Sequence, residues 1–515
     1  MMCLPLLPSR HALLACAAAT LLAGCANLAP PYVPPALPVP ATLDDPAAAG
    51  APATASADAQ DGARLPAWES FITEPRLREV VGRALAENRD LRVALLAIER
   101  ARAQYGVSRA DLLPTVAATG AGSRARTADD LTAAGRSNTT AQYSAQVGFA
   151  SYELDFFGRV RNLNDAALQE FLRVGENARS VRLSLIADVA GAWLTLDADA
   201  RRLLLARETL RTREQSLALA RQSRERGATS GLTLAQTQAT VDAARADAAA
   251  AAAQIAKDRN ALQLLAGAPL PDTLLPPSAV EAFALAATPT TMEAAAGTAP
   301  SAQAGNPDAA RWQRPTLEAA PLLAVPSALP SSVLLRRPDI QAAERSLQGS
   351  YASIGAARAA FFPSITLTSG VGTASNALSG LFDAGNGTWS FAPQIRLPIF
   401  DAGRNQANLR VSEVARDTAV AQYDRAVQTA FREAADALAD RANLHERLQA
   451  QASLVTNTQK ALDLTLARWR LGADSYLAVL DAQRSLYAAQ QALIGLQLTE
   501  QTNRITLYKV LGGAD

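Results

Sequence analysis

The chain has 515 residues, with 49 lysines and arginines against 48 aspartates and glutamates, so it lacks the basic excess on which a nucleic-acid-binding surface depends. Hydrophobic residues supply 49% of it but aromatics only 5%, which leaves burial to alanine and leucine and favours close-packed helices. Walker-type phosphate loops, HExxH helices and CxxC pairs are all missing from the sequence; ATP use, metal-dependent hydrolysis and thiol redox chemistry therefore lack a recognisable site, and the expectation is a non-enzyme with no cofactor and no metal.

Residues 12–23, "ALLACAAATLLA", form an apolar run behind Arg10 and His11. A bilayer-crossing helix needs about 20 such residues, so the run fits a secretory leader better than a membrane span. Leu22, Ala23, Gly24 and Cys25 follow the pattern of a bacterial lipoprotein cleavage box. On that pattern residues 1–24 are a signal peptide, Cys25 is the lipidation site, and Ala26 in place of an aspartate points to the outer membrane. Cys3 and Cys16 leave with the leader, so no internal disulfide or cysteine metal site is available to the mature chain. His445 is then the only histidine left, which argues against triad chemistry. Residues 25–66 read as a lipidated, Pro/Ala-rich tether.

Beyond the tether the sequence repeats itself. "RADLLPTV" at 109–116 matches "RAAFFPSI" at 358–365, Asp90 matches Asp339, and Gly158-Arg159, Gly227 and Gly267 match Gly403-Arg404, Gly472 and Gly512. The expected organisation is a first repeat at 67–270 with a strand hairpin at about 113–156, a linker at 271–330, and a second repeat at 331–513 with a strand hairpin at about 362–399. Proline, which breaks helix interiors, does not occur between Pro114 and Pro269 or after Pro398. Residues 160–226 would make a helix of about 100 Å. Leu196, Leu203, Leu210 and Leu217 recur every seven residues, as do Leu448, Val455, Leu462 and Trp469, which is the spacing of a coiled-coil seam. "RGATSG" at 226–231 and "LGADS" at 471–475 break the two long helices and turn each into a helical hairpin. Pro338 and Asp339 suit the first turn of another helix.

Between the helical parts the period falls to two. In "TWSFAPQIRLPIF", Trp389, Phe391, Ile395, Leu397 and Ile399 share one parity, and "QYSAQVGF" places Tyr143, Ala145, Val147 and Phe149 opposite Gln142, Ser144 and Gln146. These are strands with one apolar face, and partners begin at Val116 and at Ile365. Either a soluble sheet or membrane strands satisfy this pattern. Four strands are too few to close a membrane barrel, whose smallest members have about eight, so a membrane reading requires several chains to share one.

Six stretches in order carry a family resemblance: "PPYVPP" after Cys25, "WESFITEPRL" with "ALAENRDL", "SYELDFFGRVR", "LPSSVLLRRPDIQAAE", "LPIFDAGR" and "LGADSYLAVLDAQRSLYAAQ". The chain resembles the TolC-like outer-membrane efflux proteins, in particular the NodT-type lipoproteins of resistance-nodulation-division (RND) multidrug efflux systems. The resemblance implies a mixed α and β membrane protein: a homotrimer with four transmembrane β-strands per chain in one twelve-strand β-barrel, and long antiparallel coiled-coil helices forming a periplasmic α-barrel. It also implies partners, namely a periplasmic adaptor (membrane fusion protein), an inner-membrane RND pump and outer-membrane lipids, with passive export of drugs or other small toxic compounds. By the same resemblance Leu477, Asp481 and Arg484, spaced along one helix face, narrow and latch the periplasmic aperture. Ala478 stands where some members carry a second aspartate, and an insertion around Thr288–Pro315 lengthens the connection between the repeats. Competing readings are a periplasmic coiled-coil scaffold or adaptor lipoprotein, and an exit duct for type I protein secretion.

Overall fold

The computed structural model describes residues 27–40, 43, 65–133, 135–287, 321–324 and 331–514. Cys25, the leader, most of the tether and the insertion around 288–315 lie outside them. In chain order the principal elements are α1 (Trp68–Phe71), α2 (Pro75–Glu87), α3 (Arg89–Ala110), β1 (Val116–Arg126), β2 (Thr139–Leu154), α4 (Arg159–Glu225), α5 (Gly231–Ala266), α6 (Pro277–Ala287), α7 (Pro338–Ala359), β3 (Ser364–Ser375), β4 (Gly387–Arg396), α8 (Arg404–Arg470) and α9 (Tyr476–Val510). The series of a helix, two strands, a 67-residue helix and a second long helix thus occurs twice. Among the described residues no helix is long and apolar enough to cross a membrane.

The chain divides into two compact units. One gathers Met1–Leu37, Leu96–Asn177 and Gln341–Ala426 and contains an antiparallel sheet in the order β1-β2-β3-β4. The alternation in the sequence runs on to Ile399, but β4 stops at Arg396. Pro398 has no N–H with which to extend a ladder. Pro393 lies within β4, which is an edge of the single chain's sheet. Below the strands, the turn "ELDFFGRVR" is locked by charge. Arg159 donates to both Glu153 oxygens at 2.8 and 2.5 Å, and the Arg161 backbone N–H donates to Asp155 Oδ2 at 2.8 Å. In the matching turn Asp401 accepts from the N–H groups of Gly403 and Asn405 at 3.0 and 2.9 Å. Phe157 of the first turn stacks on Phe362 at 4.7 Å. The Pro-rich stretch after the tether start is held to α7. Tyr32 donates its hydroxyl to Glu344 Oε1 at 3.0 Å and meets Tyr351 edge-on at 5.6 Å, and Arg358 reaches the Leu28 carbonyl.

The other unit gathers Pro38–Leu95, Ala178–Ile340 and Val427–Asp515. Both helical hairpins turn here by the same device. Gly227 and Gly472 each sit at φ +74. The Gly227 N–H reaches the Arg224 carbonyl and the Ala228 N–H that of Ser223, while Gly472 and Ala473 reach Trp469 and Arg468 in the same way. This is a Schellman motif, which satisfies the last carbonyls of a helix through a left-handed residue. Leu196, Leu203 and Val455 are buried as seam residues. Trp193 is fully buried, and its ring N–H donates to the Leu274 carbonyl at 3.1 Å. Near the helix ends Asn88 Nδ2 donates to the Leu265 carbonyl at 2.9 Å, and Arg337 Nη1 donates to the Val510 carbonyl at 2.9 Å. Arg337 additionally pairs with Asp339 and Glu433 at 2.7 and 2.8 Å. Burial works to raise the Asp339 carboxyl, but the bonds and charge of Arg337 outweigh it and hold the group below the usual range.

Candidate functional site

Two surfaces carry the functional argument, one in each unit. The first is the sheet. Residues directly opposite each other on paired strands lie on the same face, and the register forms the rows Ala118–Val147–Val371–Trp389 and Val116–Phe149–Ser369–Phe391. Tyr152 and Leu154 rejoin this face through an irregularity after Phe149, where Ser151 takes φ 54. The apolar face is open: Trp389 is 81% exposed, and Val147, Val371, Phe391 and Ile395 are also exposed. Its reverse carries Thr119, Ser123, Gln142, Ser144, Gln146, Thr366, Thr368, Ser390 and Gln394 by the same register. A sheet with an uncovered apolar face and a small polar reverse is amphipathic in the sense of a membrane-barrel wall, and its outer strands β1 and β4 have free edges.

The second surface begins at the turn between α8 and α9. The Arg468 guanidinium grips Asp474 through two bonds of 2.7 and 3.0 Å and holds its carboxyl below the usual range. Trp469 and Tyr476 pack at 5.1 Å across the turn. On α9, Val479, Leu486, Ala489 and Leu493 face Val455 and Leu462 of α8 and form the hairpin core. Leu477, Asp481 and Arg484 lie on the opposite, solvent-open stripe. Leu477 is half exposed, and Arg484 Nη2 donates to Asp481 Oδ1 within the same helix. The stripe thus presents a leucine and a self-paired carboxylate, both without cover.

Behind this stripe lies a contact that sequence reasoning missed. Arg213 of α4, only 8% exposed, donates Nη1 to the Thr240 carbonyl of α5 at 2.9 Å, and its guanidinium stands 5.7 Å from the centroid of the Tyr487 ring on α9. Nothing in "TLRTREQS" separates Arg213 from the solvated arginines around it. Only the meeting of three helices does.

An amphipathic four-stranded sheet with free edges, followed in the chain by helices of 67 residues, fits the class of outer-membrane channels. The family described as outer membrane efflux protein matches residues 80–268 and 329–513. The chain is 41% identical to the probable efflux pump outer membrane protein TtgC of Pseudomonas putida, over 96% of this chain and 94% of that one. It is 38% identical to the cation efflux system protein CusC of Escherichia coli, over 96% of both. The open-state structure of the MtrE outer membrane channel of Neisseria gonorrhoeae superposes with a TM-score of 0.76 at 36% identity, covering 95% of this chain and 98% of that one. The chain therefore belongs to the outer membrane efflux protein family. It is an outer-membrane channel protein that serves as the exit of an efflux system.

Proposed function

We propose that three copies of this chain close their sheets into one twelve-strand barrel, continue it into the periplasm as a helical barrel, and form the exit duct of a tripartite system. In this reading the repeats at 67–270 and 331–513 each supply one strand hairpin and one helical hairpin, and acylated Cys25 adds a lipid anchor. A periplasmic adaptor joins the duct to an inner-membrane RND pump, which supplies the energy. Drugs or other small toxic compounds pass through passively, and the relatives named for efflux support that cargo class. The observation that carries the reading is the exposed apolar face between two free strand edges. Lipid can cover such a face, and only further strands can satisfy such edges.

Leu477, Asp481 and Arg484 then line the periplasmic aperture. Threefold symmetry gathers the leucines into a ring and the carboxylates into a second ring, which favours cations, and Arg484 latches the closed ring by bridging to the Asp481 carboxylate of a neighbouring copy. The first test is end-on electron microscopy of detergent-extracted protein, expected to show threefold particles with a central hole; monomers or solid rods would overturn the duct. For the aperture, Asp481→Ala and Leu477→Ser are expected to raise open probability in single-channel recordings. Unchanged conductance and open probability in both variants would remove these residues from the gate.

A further inference from the structure

If Leu477, Asp481 and Arg484 gate the duct, something must hold their helix against the rest of the chain. We propose that Arg213 is the positioning residue for that gate: it bridges the Thr240 carbonyl and the Tyr487 ring, and so registers α9 against the first helical hairpin. The inference rests on the aperture reading and adds to it a residue from the other repeat.

Three observations carry it. Tyr487 lies one helical turn beyond Arg484, so a contact that fixes Tyr487 fixes the rotation of the stripe to within that turn. The neighbouring contact of α4 with α9 is apolar, with Ala198 and Leu205 against Ile494, Tyr487 and Leu498. Apolar contact is non-directional and permits the helices to slide. Arg213 adds direction, because its fork must meet the carbonyl of α5 and the ring of α9 together. A second polar link, from Arg201 to Gln497, lies further up α9, away from the stripe. Finally, Tyr487 stands between two cavities, of about 110 and 350 Å³. The smaller has polar residues such as Thr212, Gln459 and Gln483 beside Leu205, Leu462 and Leu486 in its lining, and the Gln483 Oε1 in it has no donor. Open space flanks the ring on two sides, so its hold rests on the apolar contact with Ala198, Leu205 and Ile494 and on the Arg213 guanidinium. Burial presses the Arg213 guanidinium downward and the Tyr487 hydroxyl upward, as expected for a contact removed from water.

In this arrangement a displacement of the α4–α5 hairpin passes to α9 through one side chain, and loss of that side chain frees the stripe. The test is single-channel recording of the full chain in planar bilayers, with Asp481→Ala as the reference for the gate itself. Arg213→Met and Tyr487→Leu are each expected to raise open probability roughly tenfold, the scale of one desolvated cation–ring contact. The double variant should open no further than either single one, since both remove the same contact. Tyr487→Phe, which keeps the ring face, should move the channel far less than Tyr487→Leu. Opening caused by Arg213→Met should also be insensitive to salt, because the contact is buried, whereas the exposed Asp481–Arg484 pair is screened. Tyr487→Leu keeps an apolar side chain and carries the test if Arg213→Met fails to assemble. If Arg213→Met and Tyr487→Leu stay closed while Asp481→Ala opens, the positioning role falls and the aperture stands. If Asp481→Ala stays closed as well, both fall.

Discussion

Asp258 of α5 faces Asp199 of α4, and the two carboxylates cannot both be charged there without cost. Asp258 Oδ2 is buried with no donor, while Gln254 donates to Oδ1 at 2.8 Å and Arg202 occupies Asp199 Oδ1 at 2.5 Å. Burial first, and then Asp199, push the Asp258 carboxyl from 3.8 up to about 6. The folded state therefore holds a proton that the unfolded chain releases. The stabilisation is complete below about pH 4 and is lost as pH rises through about 6. Asp258→Asn places an amide donor toward Asp199. It is expected to flatten thermal unfolding between pH 4 and 7 and to add about 1 kcal/mol at pH 7, after allowance for the partial exposure of the group. Thermal scans of detergent-solubilised protein across that range check this, and an unchanged slope in the variant refutes it. Neither this pair nor Arg213 was legible in the sequence, because each depends on which faces of separate helices meet. Leu477, Asp481 and Arg484 could be singled out by spacing and resemblance, since all three lie within two turns of one helix.

The glycines that end the helices separate two causes of cost at the scale of elements. Gly472 and Gly267 share φ +74, but a Cβ on Gly472 meets open space, whereas one on Gly267 would sit 2.4 Å from the Glu87 carbonyl oxygen. Gly472→Ala is expected to cost only the left-handed conformation, about 1 kcal/mol. Gly267→Ala adds a clash with backbone that cannot rotate away, so it should cost clearly more. Chemical denaturation of the two variants side by side checks the order, and equal losses would show that the Glu87 approach is slack. Elements of this kind were readable in advance where one period runs unbroken. Seven-residue leucine spacing over proline-free stretches specifies long helices, and period-two alternation specifies strands. Boundaries were less readable: the alternation in "IRLPIF" continues past the end of β4, because hydrophobic parity does not record which backbone groups have partners.

For the whole molecule, the sheet is the part that the proposed barrel completes with further copies of the chain. Its apolar row ends at Trp389 and Phe391 on edge strand β4, and both rings stand in the open. Each is adjacent in sequence to Ser390, which the pleat turns to the polar reverse. This pairing of neighbours makes a clean test, because substitutions one residue apart meet opposite surroundings on one backbone. Phe391→Lys puts a charge on the face read as lipid-facing, where a lysine costs about 2–4 kcal/mol near the bilayer midplane. Ser390→Lys puts the same charge on the face read as the water-filled lumen, where its ammonium stays hydrated. Phe391→Lys is therefore expected to deplete the protein from outer-membrane fractions and to reduce its assembled form on native gels. Ser390→Lys should assemble normally and shift ion selectivity toward anions in bilayer recordings. A soluble sheet packed against another protein would bury Phe391 equally well, so the decisive readout is selectivity: Ser390→Lys without effect on it would place that face outside any conducting path. The sequence could propose this inside and outside from parity alone, but parity is symmetric between the two faces. The direction comes from the chemistry of the two faces, since both are open on β1 and β4 and only the bulky apolar row suits lipid in a chain whose family works in the outer membrane.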